Sequence, residues 1–218
     1  MKNFYIELSN VSKKIGHNIV LNNINIRMES GTIYGLKGKN GAGKTMLMRA
    51  ICGLIITDGM VNVNGEIIGK DISFPRSIGV LIENPAFING YTGIKNLKSL
   101  ALIQNIIGDE QIIDSMHCVG LNPYDKRVYG KYSLGMKQKL GIAAAIMESP
   151  DIIILDEPFN ALDTAGVSQV KDLICQHKER GAIIIISSHD AEELESLSDV
   201  VAEMRDGTII NIKQKYNY

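Results

Sequence analysis

The sequence contains no tryptophan, only three cysteines and no long apolar run. Cys52, Cys118 and Cys175 are odd in number and lack metal-ligand spacing, so they read as small buried apolar residues in a reducing compartment. The longest purely aliphatic stretches, Ile152 to Leu155 and Ile183 to Ile186, fall far short of the ~20 residues that a bilayer-spanning helix needs. Met1 to Leu8 lacks the basic-then-apolar layout of a signal peptide. Neither sign of charge dominates. The 23 Lys and Arg against 24 Asp and Glu leave a net charge of -1, which supplies no broad basic field, and a nucleic-acid partner is not expected. No internal repeat or low-complexity tract is evident, and with 45% apolar residues the 218-residue chain reads as a single globular domain, 1-218. A cytoplasmic protein is expected unless a partner holds it at a membrane.

What is present is a set of short hydrophobic segments of two kinds. Alternation in Phe4 to Leu8 and in Ile24, Ile26 and Met28 predicts strands with one wet face, an antiparallel β subdomain at the N-terminus. Asn64-Gly65 and Asp206-Gly207, each flanked by apolar runs, predict tight hairpins. Ile33 to Leu36, Ile152 to Leu155 and Ile183 to Ile186 have no polar alternation, as expected of parallel strands covered on both faces. Helical spacing in Val167, Val170, Leu173 and Ile174 lies between two of them, which argues for an α/β core with a parallel central sheet. The stretch from about 84 to 147 has helical spacing in Leu97, Leu100 and Ala101 and in Leu140, Ala143 and Met147, and reads as an inserted helical subdomain.

Gly38-Lys39-Asn40-Gly41-Ala42-Gly43-Lys44-Thr45 fits the P-loop pattern, and it follows a strand and precedes the helical run Met46 to Cys52, the context that motif requires. The glycines let backbone N–H groups turn toward phosphate oxygens, and the helix adds its positive end. Lys44 would contact the β and γ phosphates, and the Thr45 hydroxyl would ligate Mg²⁺. The strand Ile152 to Leu155 ends in Asp156 and Glu157, where α/β sheets gather their ligands. Asp156 can hold Mg²⁺, and Glu157 can reach a water attacking the γ phosphate. His189 follows the strand Ile183 to Ser187 and would stand at the same edge, able to bond the γ phosphate. His17, His117 and His177 have no such context.

Tyr132-Ser133-Leu134-Gly135-Met136 resembles the signature motif of the ABC ATPase family, and the resemblance runs from about Leu8 to Ile212. It implies a P-loop NTPase core, ATP and Mg²⁺ as ligands, and a head-to-tail homodimer or a heterodimer with a related ATPase. In such a dimer Ser133 and the Gly135 backbone would face the P-loop of the other chain as a second phosphate cradle. Asn160-Ala161-Leu162-Asp163 resembles the loop that crosses between those sites. The partner would be a separate transmembrane permease, placing this chain at the inner face of the membrane. The family usually has an adenine-stacking aromatic before Gly16, where Ile15 stands, and Gln where Glu83 stands. Glu83, placed near Mg²⁺ by the resemblance, together with Asn84-Pro85-Ala86-Phe87, is similar to bacitracin and lantibiotic self-protection exporters. An ABC-type ATPase acting on DNA or ribosomes is the second reading, but the tandem cassettes, coiled-coil insertions and basic extensions usual there are not visible.

Overall fold

The computed structural model describes residues 4–215, so the first three residues of the Met1–Leu8 segment and the last three of the chain lie outside it. The chain opens with a hairpin of β1 (Tyr5–Ile15) and β2 (Asn18–Glu29). β3 (Thr32–Lys37) then leads into α1 (Lys44–Ile51), and β4 (Asp58–Val63) and β5 (Glu66–Ile67) return to the hairpin. These complete an antiparallel sheet in the order β2-β1-β4-β5. β1 and β2 are much longer than their alternating stretches. Asn10 and Asn23 take left-handed φ of 53° and 49° beside breaks in the pairing register. A bulge of this kind puts Leu8 and Val11 on the same buried face and hides the strand from a period-two reading.

β6 (Ile78–Leu81) is followed by α2 (Gly93–Gln104), α3 (Asp109–Cys118) and α4 (Leu134–Ile146). β7 (Ile152–Leu155), α5 (Thr164–Glu179), β8 (Ile183–Ser187) and α6 (Ala191–Leu197) come next. The hairpin β9 (Val200–Arg205) and β10 (Thr208–Gln214) closes the fold, turning on Asp206 and Gly207 at φ 48° and 75°. The central sheet runs β10-β9-β3-β8-β7-β6, parallel throughout except for β10.

Each central strand serves two cores, which is why it reads as a continuous apolar run. Ile152 and Ile154 face α1 and the antiparallel sheet, whereas Ile153 and Leu155 face the helices α2 to α6. The segment between β6 and β7 is helical, as its spacing predicts, but its last helix lies directly on the sheet. Leu140, Ile142 and Ala143 of α4 are fully buried, and a Cβ on Gly79 of β6 would fall on the carbonyl oxygen of Ala145. β6 itself escapes sequence reading, because it is short and has a glycine where an apolar side chain would advertise it.

One expectation fails for two of its three residues. Only Cys52 is buried, with its thiol pushed up to about 12 by desolvation, while Cys118 and Cys175 lie exposed on α3 and α5. A free cysteine on the outer stripe of an amphipathic helix gives no spacing signal that separates it from a core one. In α2, Leu97 and Ala101 are buried but Leu100 is exposed.

Because Gly79 admits no Cβ without moving the α4 backbone, Gly79→Ala should destabilise the protein by about 1–3 kcal/mol. Urea unfolding of the two proteins measures this, and an unchanged midpoint would show that α4 is free to shift.

Candidate functional site

The P-loop lies between β3 and α1 at the carboxyl edge of the central sheet. Gly43 caps α1 with φ 103°, and Gly41 has φ 81°, conformations that an L side chain rarely adopts. A Cβ on Gly38 would strike the Met204 carbonyl, and one on Gly43 would lie 2.8 Å from the Val20 carbonyl. The loop is therefore pressed between β9 and the start of β2. Lys44 is buried and donates to the carbonyls of Gly38 at 2.7 Å and Lys39 at 3.3 Å, which holds its charge inside the curl of the loop.

The parallel register brings the ends of β7 and β8 beside this loop. Thr45 Oγ1 donates to Asp156 Oδ2 at 2.6 Å. Ser187, with no exposed surface, donates to Asp156 Oδ1 and accepts from the Glu157 N–H at 3.0 Å. Glu157 Oε2 in turn lies 2.8 Å from His189 Nδ1 and accepts from the His189 backbone N–H at 3.1 Å. Thr45, Asp156, Ser187, Glu157 and His189 thus form one connected group, and Lys44, whose own bonds stay within the P-loop, is the chain neighbour of Thr45.

Two hollows flank the loop and share Asn40, Gly41 and Ala42. The larger, about 630 Å³, lies between Lys37, His189 and Glu203 to Asp206. At its rim the Lys37 ammonium pairs with Glu195 at 2.7 Å, which raises the Lys37 pKa and lowers that of Glu195. The smaller, about 390 Å³, is lined by Val20, Asn40 to Met46, Asp156 and Glu157. Lys44, Thr45, Asp156 and Glu157 line the smaller one, and His189 stands on the side of the larger. A hydroxyl and a carboxylate oxygen in contact are the hard donors that suit Mg²⁺, which takes few protein ligands and completes its shell with phosphate and water. The residues present therefore fit both a nucleotide phosphate chain and its cation.

Other sequence-derived candidates stand apart from this group. Ile15 is half exposed at the end of β1 and lines neither hollow, whereas Val20 does. Glu83, at φ 60°, pairs through Oε1 with Arg49 Nη2 of α1 at 2.6 Å and lines neither hollow. Ser133 is the N-cap of α4, its Oγ accepting from Met136 N at 3.2 Å, and a Cβ on Gly135 would lie 2.6 Å from the Ala161 carbonyl. Neither Ser133 nor Gly135 lines a hollow at the P-loop of its own chain. Sequence reasoning gave no role to Val20, Arg49 or Ser187. Ser187 had a visible signal, a hydroxyl closing an all-isoleucine strand, but Val20 and Arg49 look like ordinary residues of a strand and a helix.

The family model described as ABC transporter matches residues 21–160. The chain belongs to the ABC transporter family. It is an ATP-binding ATPase subunit of that family, and the relatives agree. An ABC transporter ATP-binding protein of Bacillus subtilis, YybJ, is 50% identical over 94% of either chain. The bacitracin transport ATP-binding protein BcrA of Enterococcus faecalis is 40% identical over 95% of this chain and 68% of its own. The lantibiotic transport ATP-binding protein SrtF of Streptococcus pyogenes is 36% identical over 96% and 90%. Among solved structures, the dimeric ATP-binding cassette MJ0796 in a post-hydrolysis state with ADP and Pi has the same fold, with a TM-score of 0.87 at 21% identity over 98% of this chain and all of that one.

If Ile15 lies beside the adenine, Ile15→Tyr should tighten ATP binding about twofold to tenfold, the worth of an aromatic stacking partner. Titration with a fluorescent ATP analogue and ATP competition measures it. Unchanged affinity would place the base elsewhere, with Val20 the next residue to test.

Proposed function

We infer that the chain binds Mg²⁺-ATP at the P-loop and hydrolyses it to drive a separate transmembrane permease, with two chains enclosing two nucleotides. The observation that carries this reading is the continuous chain of contacts from Thr45 of the P-loop through Asp156 and Ser187 to Glu157 and His189, with Lys44 held inside the same loop. Gly38, Asn40, Gly41, Ala42, Gly43 and Lys44 hold the phosphates, and Thr45 and Asp156 hold the cation. Bound there, Mg²⁺ would neutralise phosphate charge. Glu157 accepts a proton from the attacking water, and His189, within hydrogen-bond reach of the same carboxylate, orients it.

The second half of each site comes from the partner chain. Ser133 begins a helix, so its hydroxyl and the first N–H groups of α4 make an anion cradle. Leu134 beside it is 74% exposed, as expected of a residue that a partner covers. The dimer is a homodimer or pairs with a related ATPase. Among the described residues no helix is long and apolar enough to cross a membrane, so transport requires a permease, which holds this chain at the inner membrane face. The names of BcrA and SrtF, a bacitracin and a lantibiotic transport ATP-binding protein, support a peptide antibiotic or a similar amphiphile as cargo, and export as the direction follows from the family resemblance alone. Glu83 is the candidate link between site closure and the permease. It would hold the cation only after giving up its ion pair with Arg49, and the loop from Asn84 to Asn89 that follows it edges a groove against α4.

Glu157→Gln removes the proton acceptor and keeps the phosphate contacts, so ATP should bind and persist while turnover falls by about 10² or more. Turnover and the ATP-dependent dimer on gel filtration are the readouts. Near-normal hydrolysis would take Glu157 out of the mechanism.

Mixing Lys44→Ala chains with Ser133→Arg chains should create one intact and one doubly damaged site per mixed dimer. ATPase activity should reappear that neither variant shows alone. A mixture no more active than its parts would remove the shared-site dimer.

A further inference from the structure

Glu157 sits in the left-handed region at φ 51°. For a residue with a Cβ that conformation costs about 1–2 kcal/mol, so its surroundings must hold it there. Side chains bind both of its backbone polar groups. The N–H donates to Ser187 Oγ at 3.0 Å, and the carbonyl accepts from Gln138 Nε2 at 3.0 Å. The carbonyl also takes a longer bond from the Asn160 N–H at 3.3 Å. Ser187 belongs to the neighbouring strand of the sheet. Gln138 belongs to α4, the helix that Ser133 caps.

Gln138 is only 8% exposed, so its amide bond faces little competition from water. A long polar side chain is costly at such a position unless its polar end is bound, and Leu140 and Ile142 nearby show what the site would otherwise accept. Its amide donates to the Glu157 carbonyl. The Glu157 side chain direction follows from its backbone, and the carboxylate must lie within a fraction of an ångström of its working place for proton transfer to be efficient.

We propose that Gln138 is a positioning residue for Glu157, its amide fixing the left-handed backbone from which the catalytic carboxylate projects in the same chain. This rests on the reading above of Glu157 as the proton acceptor and of the shared-site dimer. Gln138 lines neither hollow at the P-loop of its own chain. It acts through the Glu157 carbonyl.

The test uses the full chain and Gln138→Met, which keeps length and volume and removes the donor. Its kcat should fall about tenfold to a hundredfold, while KM for ATP stays within about twofold and the melting temperature is little changed. If the Met variant folds poorly, Gln138→Glu, which keeps size and puts an oxygen where the donor was, should give the same split. A fall in affinity matching the fall in kcat, or no fall in kcat, would overturn the proposal. The mixed dimer then locates the effect. Placed in the Ser133→Arg chain, which supplies Lys44 and Glu157 to the intact site, Gln138→Met should cause the loss. Placed in the Lys44→Ala chain, which supplies only the Ser133 cradle to that site, it should cost no more than about twofold. A loss in the second placement, or equal losses in both, would assign Gln138 to the cradle and overturn the proposal. If mixing restores nothing even with Gln138 intact, the shared-site dimer fails, and the kcat and KM split in the unmixed protein still decides the proposal.

Discussion

Where the reactive groups stand is decided by strand pairing. β3 and β8 pair in parallel with Leu36 opposite Ser187, and β7 and β8 pair with Leu155 opposite Ile186. The residues just past these partners are therefore Lys37 and the P-loop on one side and Asp156 on the other, with Ser187 between them. A shift of one residue in either ladder would move the Ser187 hydroxyl to the opposite face of the sheet and separate it from Asp156. The buried isoleucines make such a shift costly, since Ile183 and Ile185 fill one core and Ile184 and Ile186 the other. Hydrophobic packing far from the chemistry thus sets the positions of Thr45, Asp156 and Glu157 more firmly than their own hydrogen bonds do.

That dependence explains how much could be read from the chain alone. The three aliphatic runs of the central sheet, the two hairpins with left-handed Asn64 and Asp206, and the P-loop between strand and helix were all legible, because each is a local pattern with a local cause. Lys44, Thr45, Asp156, Glu157 and His189 were legible as candidates for the same reason, and the sheet brings them together. The bulged halves of β1 and β2 were not, since an extra residue at Asn10 or Asn23 breaks the alternation that marks a strand. Nor was β6, whose glycine is required by the backbone of a helix more than sixty residues further on. The roles of Arg49, Val20 and Ser187 depend on which segments meet in space, and no spacing along the chain encodes that.

Glu83 shows the same limit from the other side. Sequence likeness puts it near the cation, yet its carboxylate is paired with Arg49 and turned from both hollows. An exposed ion pair of this kind contributes little to stability, about 0–1 kcal/mol, so it is easily exchanged for a stronger partner. Its left-handed backbone is the firmer constraint, because it fixes the direction from which the side chain can leave.

The contact of Val20 with the two glycines has a mechanical meaning. The Val20 carbonyl lies only 2.8 Å from where a Cβ of either Gly43 or Gly207 would be, while Asn22 N–H donates to the Gly207 carbonyl and Gly207 N–H to that of Ala42. Three stretches of main chain thus touch without a side chain between them. Side-chain contacts yield by changing rotamer, but a main-chain junction has no such compliance. The antiparallel sheet, the phosphate loop and the last hairpin should consequently behave as one stiff strut, and their amides should lose hydrogen-exchange protection in a single step rather than segment by segment.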